Sequence, residues 1–134
     1  MGARRALVLA YHNVVPDDAF PVEGDASLHV PRRLFARQLE LLCEHLDVVP
    51  LADLLEREPG GRPKAAITFD DAYAGALTLG LDTIRAYRLP VTFFVAPGLL
   101  GSPSFWWDDL ARALGPRARA AREAVLREAR GLDG

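Results

Sequence analysis

The chain is poor in the residues that mark most specialised protein classes. It has one cysteine, Cys43, in 134 residues, so no internal disulfide framework holds it, and a lone thiol suits a reducing compartment. It lacks a long hydrophobic run. Ala6 to Ala10, behind Arg4 and Arg5, is too short for a signal-peptide core and breaks at Tyr11 and His12, and no other stretch reaches the length of a bilayer span. As written, the chain is expected to be cytoplasmic or the exported form of something longer. It also lacks an excess of either charge: 16 Lys and Arg against 18 Asp and Glu leave a net charge of −2, which favours neither nucleic acid nor an anionic membrane as a partner. Histidine is scarce and early, with His12, His29 and His45 and none after them. There is no internal repeat and no low-complexity segment.

What is present is organised around Lys64 to Gly75, K-A-A-I-T-F-D-D-A-Y-A-G. Ala65 to Phe69 is an apolar run of strand length bounded by Pro63, which suits a strand buried on both faces. Ligands in α/β sheets sit at the carboxyl ends of strands, so Asp70 and Asp71 are expected at a functional rim. Adjacent carboxylates repel unless a cation or a shared proton separates them. Two readings follow: a metal site, or a helix beginning at Ala72 that Asp71 caps while Asp70 stays solvated at its positive end.

The rest of the chain supplies scaffold. Ala6 to Ala10 reads as a buried strand that delivers Tyr11 and His12 to the same rim. Asn13 to Pro31, rich in Pro, Asp and Gly, reads as a long surface loop in which His29 is solvated. From Pro31 a helix is expected, with Phe35, Leu39, Leu42, Cys43 and Leu46 on its apolar face and Cys43 a small core residue. Asp47 to Pro50 gives a short strand, and Leu51 to Glu58 a short helix stopped by Pro59-Gly60-Gly61. Tyr73, Ala76, Leu77, Gly80, Leu81, Ile84 and Tyr87 trace a stripe that predicts an amphipathic helix over 72–88. Val91 to Val95 is the next buried strand, and strand, helix, strand with short links implies parallel pairing. Ser104 is placed to cap a helix with Asp108 and Asp109 in its first turn. Trp106 and Trp107 there are expected to be buried, with stacking on a sugar ring as the alternative. Pro116 to Arg130 reads as an Arg- and Ala-rich helix with a Glu123 to Arg127 pair and a solvated charged face.

Taken together, Tyr11-His12-Asn13-Val14, Phe35-x-x-Gln38-Leu39-x-x-Leu42, Ile67 to Tyr73 and Leu89 to Val95 resemble the polysaccharide deacetylase family with the NodB-homology domain, carbohydrate esterase family 4, from about Leu7 to Leu114. The resemblance implies an irregular (β/α) barrel of about seven strands, of which four are countable here, so the fold class is α/β, the N-terminal portion of such a barrel with parallel strands, stopping before closure. It implies removal of N-acetyl or O-acetyl groups from a polysaccharide or sugar conjugate. By the match of T-F-D-D to Thr68 to Asp71, Asp70 is the general base and Asp71 a ligand of a divalent metal, usually zinc. His12, Tyr73, Trp106 and Trp107 are candidates for substrate contact or support of the site.

Two departures qualify this resemblance. Ala72 stands where many members have Gly, which costs nothing if the residue is helical. The family's H-S/T-x-x-H motif, source of two histidine ligands, has no counterpart, because all three histidines precede Asp70; the family's Arg motif and late histidine are missing too. The chain is therefore expected to be a single partial domain over 1–134, with 116–134 a helical insertion or break point. Alone, it is expected neither to hold zinc tightly nor to deacetylate an N-acetylated glycan, and to self-associate through an uncovered sheet edge. A non-catalytic remnant that binds carbohydrate or a protein partner is the competing reading. A receiver-like phosphoacceptor would need a further Asp and Lys at later strand ends, and a haloacid-dehalogenase-type phosphatase would need Asp-x-Asp; both rank below.

Overall fold

A computed structural model describes residues 6–19, 25–56, 61–102 and 104–117 and positions 120, 121, 124 and 127. The strands in chain order are β1 (Leu7–Tyr11), β2 (Asn13–Val15), β3 (His29–Pro31), β4 (Asp47–Val48), β5 (Lys64–Phe69) and β6 (Thr92–Phe93). The helices are α1 (Arg32–His45), α2 (Leu81–Ala86), which continues a π-helical turn at Ala76–Gly80, and α3 (Trp106–Leu114). The chain divides into two compact units, Met1–Phe20 with Leu28–Pro97 and Pro21–Ser27 with Gly98–Gly134.

In the first unit β5 is the central strand. Ala65 to Phe69 are each at most 2% exposed, as a continuous apolar run covered on both faces should be. β1 runs along one edge of it, from Leu7 opposite Ala65 to Tyr11 opposite Phe69. The other edge is shared: β4 pairs with its start, Asp47 opposite Lys64, and β6 with its end, Phe93 opposite Phe69. Carbonyls four residues apart on a strand point the same way, and those of Ala65 and Phe69 accept from Val49 and Phe94 N–H at 2.9 and 2.7 Å. Every pairing is parallel, and the sheet is open among the described residues.

Two strands expected to be buried are not. Leu7 and Val8 are 46% and 48% exposed, because β1 is an edge whose outer side has no neighbouring strand among the described residues. The run from Val91 to Val95 pairs only at Thr92 and Phe93, and Phe94 and Val95 are half exposed. The stretch expected as a bare loop is partly ordered by pairing: β2 and β3 form a parallel two-stranded ribbon, Asn13 opposite His29 and Val14 opposite Val30.

α1 buries Phe35, Leu39 and Leu42, and Tyr11 joins Phe35 and Phe69 with ring centroids 4.9 and 5.5 Å away. Cys43 is exposed rather than in the core, since at 100° per residue it lies about 75° off the mean direction of that stripe. Leu51–Asp53 forms a single 3-10 turn instead of a helix reaching Glu58, and residues 57–58 lie outside the described residues.

The helix after the paired carboxylates does not begin at Ala72. Asp71 and Ala72 both have left-handed backbones, φ 67° and 55°, and the helical turns follow Tyr73. The Thr78 and Thr83 hydroxyls donate to the Ala74 and Leu79 carbonyls at 2.8 and 2.7 Å. Such back-bonding competes with the i to i+4 ladder and accompanies the slip to π geometry. α2 ends in a Schellman motif with Arg88 at φ 55°, where Leu89 N–H bonds the Ile84 carbonyl at 3.2 Å and Arg88 N–H that of Arg85 at 3.0 Å.

In the second unit α3 has extended Phe105, not Ser104, at its cap position, without a side-chain cap. The Ser104 hydroxyl instead donates to Asp109 at 2.7 Å, and Arg112 does the same from one turn on; these two bonds, Ser104 first, hold the Asp109 carboxyl below its usual range. Trp107 stacks on Phe105 at 4.8 Å, but Trp106 is 65% exposed, against the expectation of a buried pair. Gly115–Arg117 is a 3-10 turn, so Pro116 does not start a helix. Of the helix expected over 116–130, the described Ala120, Ala121, Ala124 and Arg127 are helical, and the remaining positions after Arg117, Glu123 among them, lie outside the described residues. No helix among those described is long and apolar enough to cross a membrane.

Candidate active site at the carboxyl rim of the sheet

The register of β1 on β5 sets the site. Because Tyr11 lies opposite Phe69, the next residue of each strand, His12 and Asp70, leaves the sheet at the same rim, and Asp70 N–H donates to the Tyr11 carbonyl at 2.8 Å. Tyr11 itself points into the aromatic cluster, its hydroxyl donating to Gln38 Oε1 at 2.9 Å. Burial pushes its pKa up to about 12, so it is an anchor for the rim and not a proton carrier at neutral pH.

The left-handed turn at Asp71 and Ala72 swings Asp71 back over the rim. Its Oδ2 is 3.9 Å from His12 Nε2, with the two side chains 26% and 29% exposed. Tetrahedral zinc with nitrogen and oxygen donors at about 2.0–2.2 Å holds neighbouring donor atoms about 3.3 Å apart. A side-chain rotation closes the difference, so Asp71 and His12 suit two corners of a cation site. Among the described residues no group of three His, Cys, Asp or Glu side chains could hold a metal, and a catalytic zinc takes three protein ligands. The two donors of this pair fall one short of that number.

Behind these residues stands the ribbon that sequence reading took for loop. Asn13 Nδ2 is 3.1 Å from His29 Nδ1, and the His29 ring sits edge-on to Tyr73 with centroids 5.7 Å apart. Tyr73 is 6% exposed, so it supports the turn from beneath and has little surface for substrate. A Cβ at Gly75 would lie 2.2 Å from the Val14 carbonyl oxygen and 2.4 Å from Asn13 Oδ1; only glycine admits the ribbon this close. His29 was missed as a site residue because three-residue strands carry too little periodicity to read; the apolar Val14, Val15 and Val30 beside Asn13 and His29 were the available signal. The structure thus brings together His12, Asp70, Asp71 and Tyr73, while Trp106 and Trp107 belong to the second unit.

No family model and no curated protein matches the chain. Solved structures do. IcaB from Ammonifex degensii is 25% identical, with a TM-score of 0.58, over 72% of this chain and 40% of that one. A de-N-acetylase from Aggregatibacter actinomycetemcomitans is 22% identical with a TM-score of 0.61, over 73% of this chain and 40% of its own. The deacetylase PplD of Streptococcus pyogenes, solved in complex with acetate, is 21% identical with a TM-score of 0.54, over 72% and 46%. The chain spans less than half the length of each. The resemblance carried by T-F-D-D extends to the fold, over a share that matches an N-terminal part of a polysaccharide deacetylase domain.

Proposed function

We propose that this chain contributes the first part of the catalytic domain of a metal-dependent deacetylase, one that removes N-acetyl or O-acetyl groups from a polysaccharide or sugar conjugate. The observation that supports it most is the meeting of His12, Asp70 and Asp71 at one sheet rim in a fold shared with polysaccharide deacetylases. In this reading Asp71, with His12 beside its Oδ2, would hold a divalent metal, zinc by the resemblance to polysaccharide deacetylases. The remaining donors come from polypeptide equivalent to the part of the relatives that this chain does not span. Bound there, the metal supplies polarisation of the acetyl carbonyl and of the attacking water.

Asp70 is the general base. Its backbone is tied to Tyr11, which fixes the carboxylate's origin at the rim, and the residue is partly buried. Hydrolysis breaks the acetyl C–N bond, and the proton that Asp70 takes from water is available to the departing amine. The division of roles is tested by calorimetric titration of the purified chain with zinc. Binding weaker than about 10 μM is expected, since two donors compete poorly with water for the ion; Asp71→Ala abolishes it and Asp70→Asn retains it. Equal loss in both variants refutes the assignment, and submicromolar affinity in a monomer refutes the view that the site is partial.

A further inference from the structure

We propose that His29, oriented by Asn13, is a positioning residue for the Asp70–Asp71 turn, acting through Tyr73. The inference rests on the deacetylase reading above, which gives the turn its task. Sequence alone left His29 as a solvated loop residue, and its surroundings are otherwise. It lies in β3 directly opposite Asn13 of β2, half-buried, with Nδ1 3.1 Å from the Asn13 amide nitrogen and its ring edge-on to buried Tyr73.

The contact selects one tautomer of the ring, since whichever end of the Asn13 amide meets Nδ1, that nitrogen takes the complementary donor or acceptor role. Asn13 Oδ1 is buried without a hydrogen-bond partner among the described residues, and it faces Gly75, whose missing Cβ would come within 2.4 Å of it. Asn13 is thereby wedged between Gly75 and His29, and His29 between Asn13 and Tyr73.

The arrangement brackets a strained turn. Asp71 and Ala72 are both left-handed without being glycine, a conformation that persists only when its surroundings over-determine it. One end of the turn is tied by Asp70 N–H to the Tyr11 carbonyl. At the other end stands Tyr73, with the His29 ring packed edge-on against its ring. With the bracket in place the Asp71 carboxylate points at His12; without it the turn has a cheaper right-handed alternative in which that carboxylate is aimed elsewhere.

Two measurements on the purified chain test the proposal. The first is the imidazole nitrogen spectrum of the uniformly 15N-labelled protein at neutral pH. His29 should give the pattern of a single tautomer, and Asn13→Ala should move it toward the mixture of tautomers of a free histidine. A tautomer mixture in the parent protein, or a spectrum indifferent to Asn13→Ala, overturns the proposal. The second is zinc affinity by calorimetry with Zn²⁺ alone. Partners that orient a metal ligand matter by tenfold or more when they touch it, so one step further out Asn13→Ala and His29→Ala should each weaken binding roughly three- to tenfold. The double variant should be no worse than His29→Ala, since both act through one route. Additive losses, or none in a chain where Asp71→Ala still abolishes binding, overturn the positioning role while leaving the deacetylase reading intact. If Asp71→Ala itself changes nothing, that reading has failed, and the positioning role, which has no ligand left to orient, is overturned with it.

Discussion

Replacing Gly75 with alanine sets two effects of opposite sign against each other. The backbone there has φ −68°, which any residue adopts, and alanine is favoured over glycine in a helix by about 1 kcal/mol. Propensity alone therefore predicts stabilisation. Packing predicts the reverse, because the new Cβ falls 2.2 Å from the Val14 carbonyl oxygen and 2.4 Å from Asn13 Oδ1, each more than 1 Å inside ordinary contact. Val14 is backbone, fully buried and paired with Val30, so relief requires the ribbon to move as a unit. Overpacking of that kind costs about 1–3 kcal/mol or more, and leaving Asn13 displaced from His29 adds roughly 1 kcal/mol for the lost hydrogen bond. The net expectation is a loss of about 1–3 kcal/mol. Gly80→Ala is the control, five residues along the same helical stretch. Its Cβ meets the Phe69 Cζ and Val14 Cγ2 atoms at 3.2 Å, side-chain ends that give by a few tenths of an ångström, so the propensity gain roughly cancels the crowding. Urea unfolding followed by far-ultraviolet circular dichroism, with unchanged slope, compares the two. A Gly75→Ala protein as stable as its parent would mean that the ribbon does not lie against the turn as described.

Ala72→Gly should stabilise the fold by about 0.5–1 kcal/mol, the relief of a left-handed L-residue less the entropy cost of glycine, with no gain in the urea midpoint refuting the left-handed assignment. The Tyr11 hydroxyl keeps its proton to about pH 12 in the fold but ionises near pH 10.0 in the unfolded chain; the unfolded state therefore loses a proton first, and stability present below pH 10 should fall as pH rises toward 12. Tyr11→Phe should flatten that part of the urea-midpoint profile, and an unchanged slope would exclude Tyr11 as its source. The outer side of β1, an uncharged L-V-L-A-Y edge with Leu7 and Val8 half exposed, should drive concentration-dependent self-association, and Val8→Lys should restore a monomer on a sizing column; a monomeric parent at high concentration would show the edge to be protected.

What could be read from the sequence is what depends on runs and spacing. β5 was legible because five consecutive residues of strand-forming, largely apolar character before two acids suit little besides a buried strand in an α/β chain, and the rim position of His12 followed once Ala6 to Ala10 was recognised as a second strand ending in a histidine. The buried face of α1 was legible at three of the five positions expected, with Cys43 exposed and Leu46 only partly buried at the helix C-cap, because a stripe drawn on five positions is wider than the three that touch the core. β2 and β3 were not legible. A three-residue strand repeats its pattern once, and its pairing was decided by a partner sixteen residues away and by the absence of a side chain at Gly75, neither of which leaves a local signature.

The turn after β5 is where local reading failed for the most informative reason. D-A-Y-A-G-A has the composition of a helix start, and Asp71 is a good capping residue, so propensity favours a right-handed helix from Ala72. The chain adopts the left-handed alternative at two consecutive non-glycine residues, a conformation that costs about 1–2 kcal/mol at each. What offsets it is tertiary: the Asp70 to Tyr11 hydrogen bond, the burial of Tyr73 against His29 and the close seat of Gly75 on Val14. A helix begun at Ala72 would carry the Asp71 side chain with its first turn, whereas the left-handed kink returns the carboxylate to within 3.9 Å of His12. Local propensity and the geometry of the rim therefore disagree at Asp71 and Ala72, and disagreement of this kind clusters at functional sites, where surrounding contacts hold the strain in place. The strained turn carries Asp71, one of the two carboxylates that the T-F-D-D match singles out.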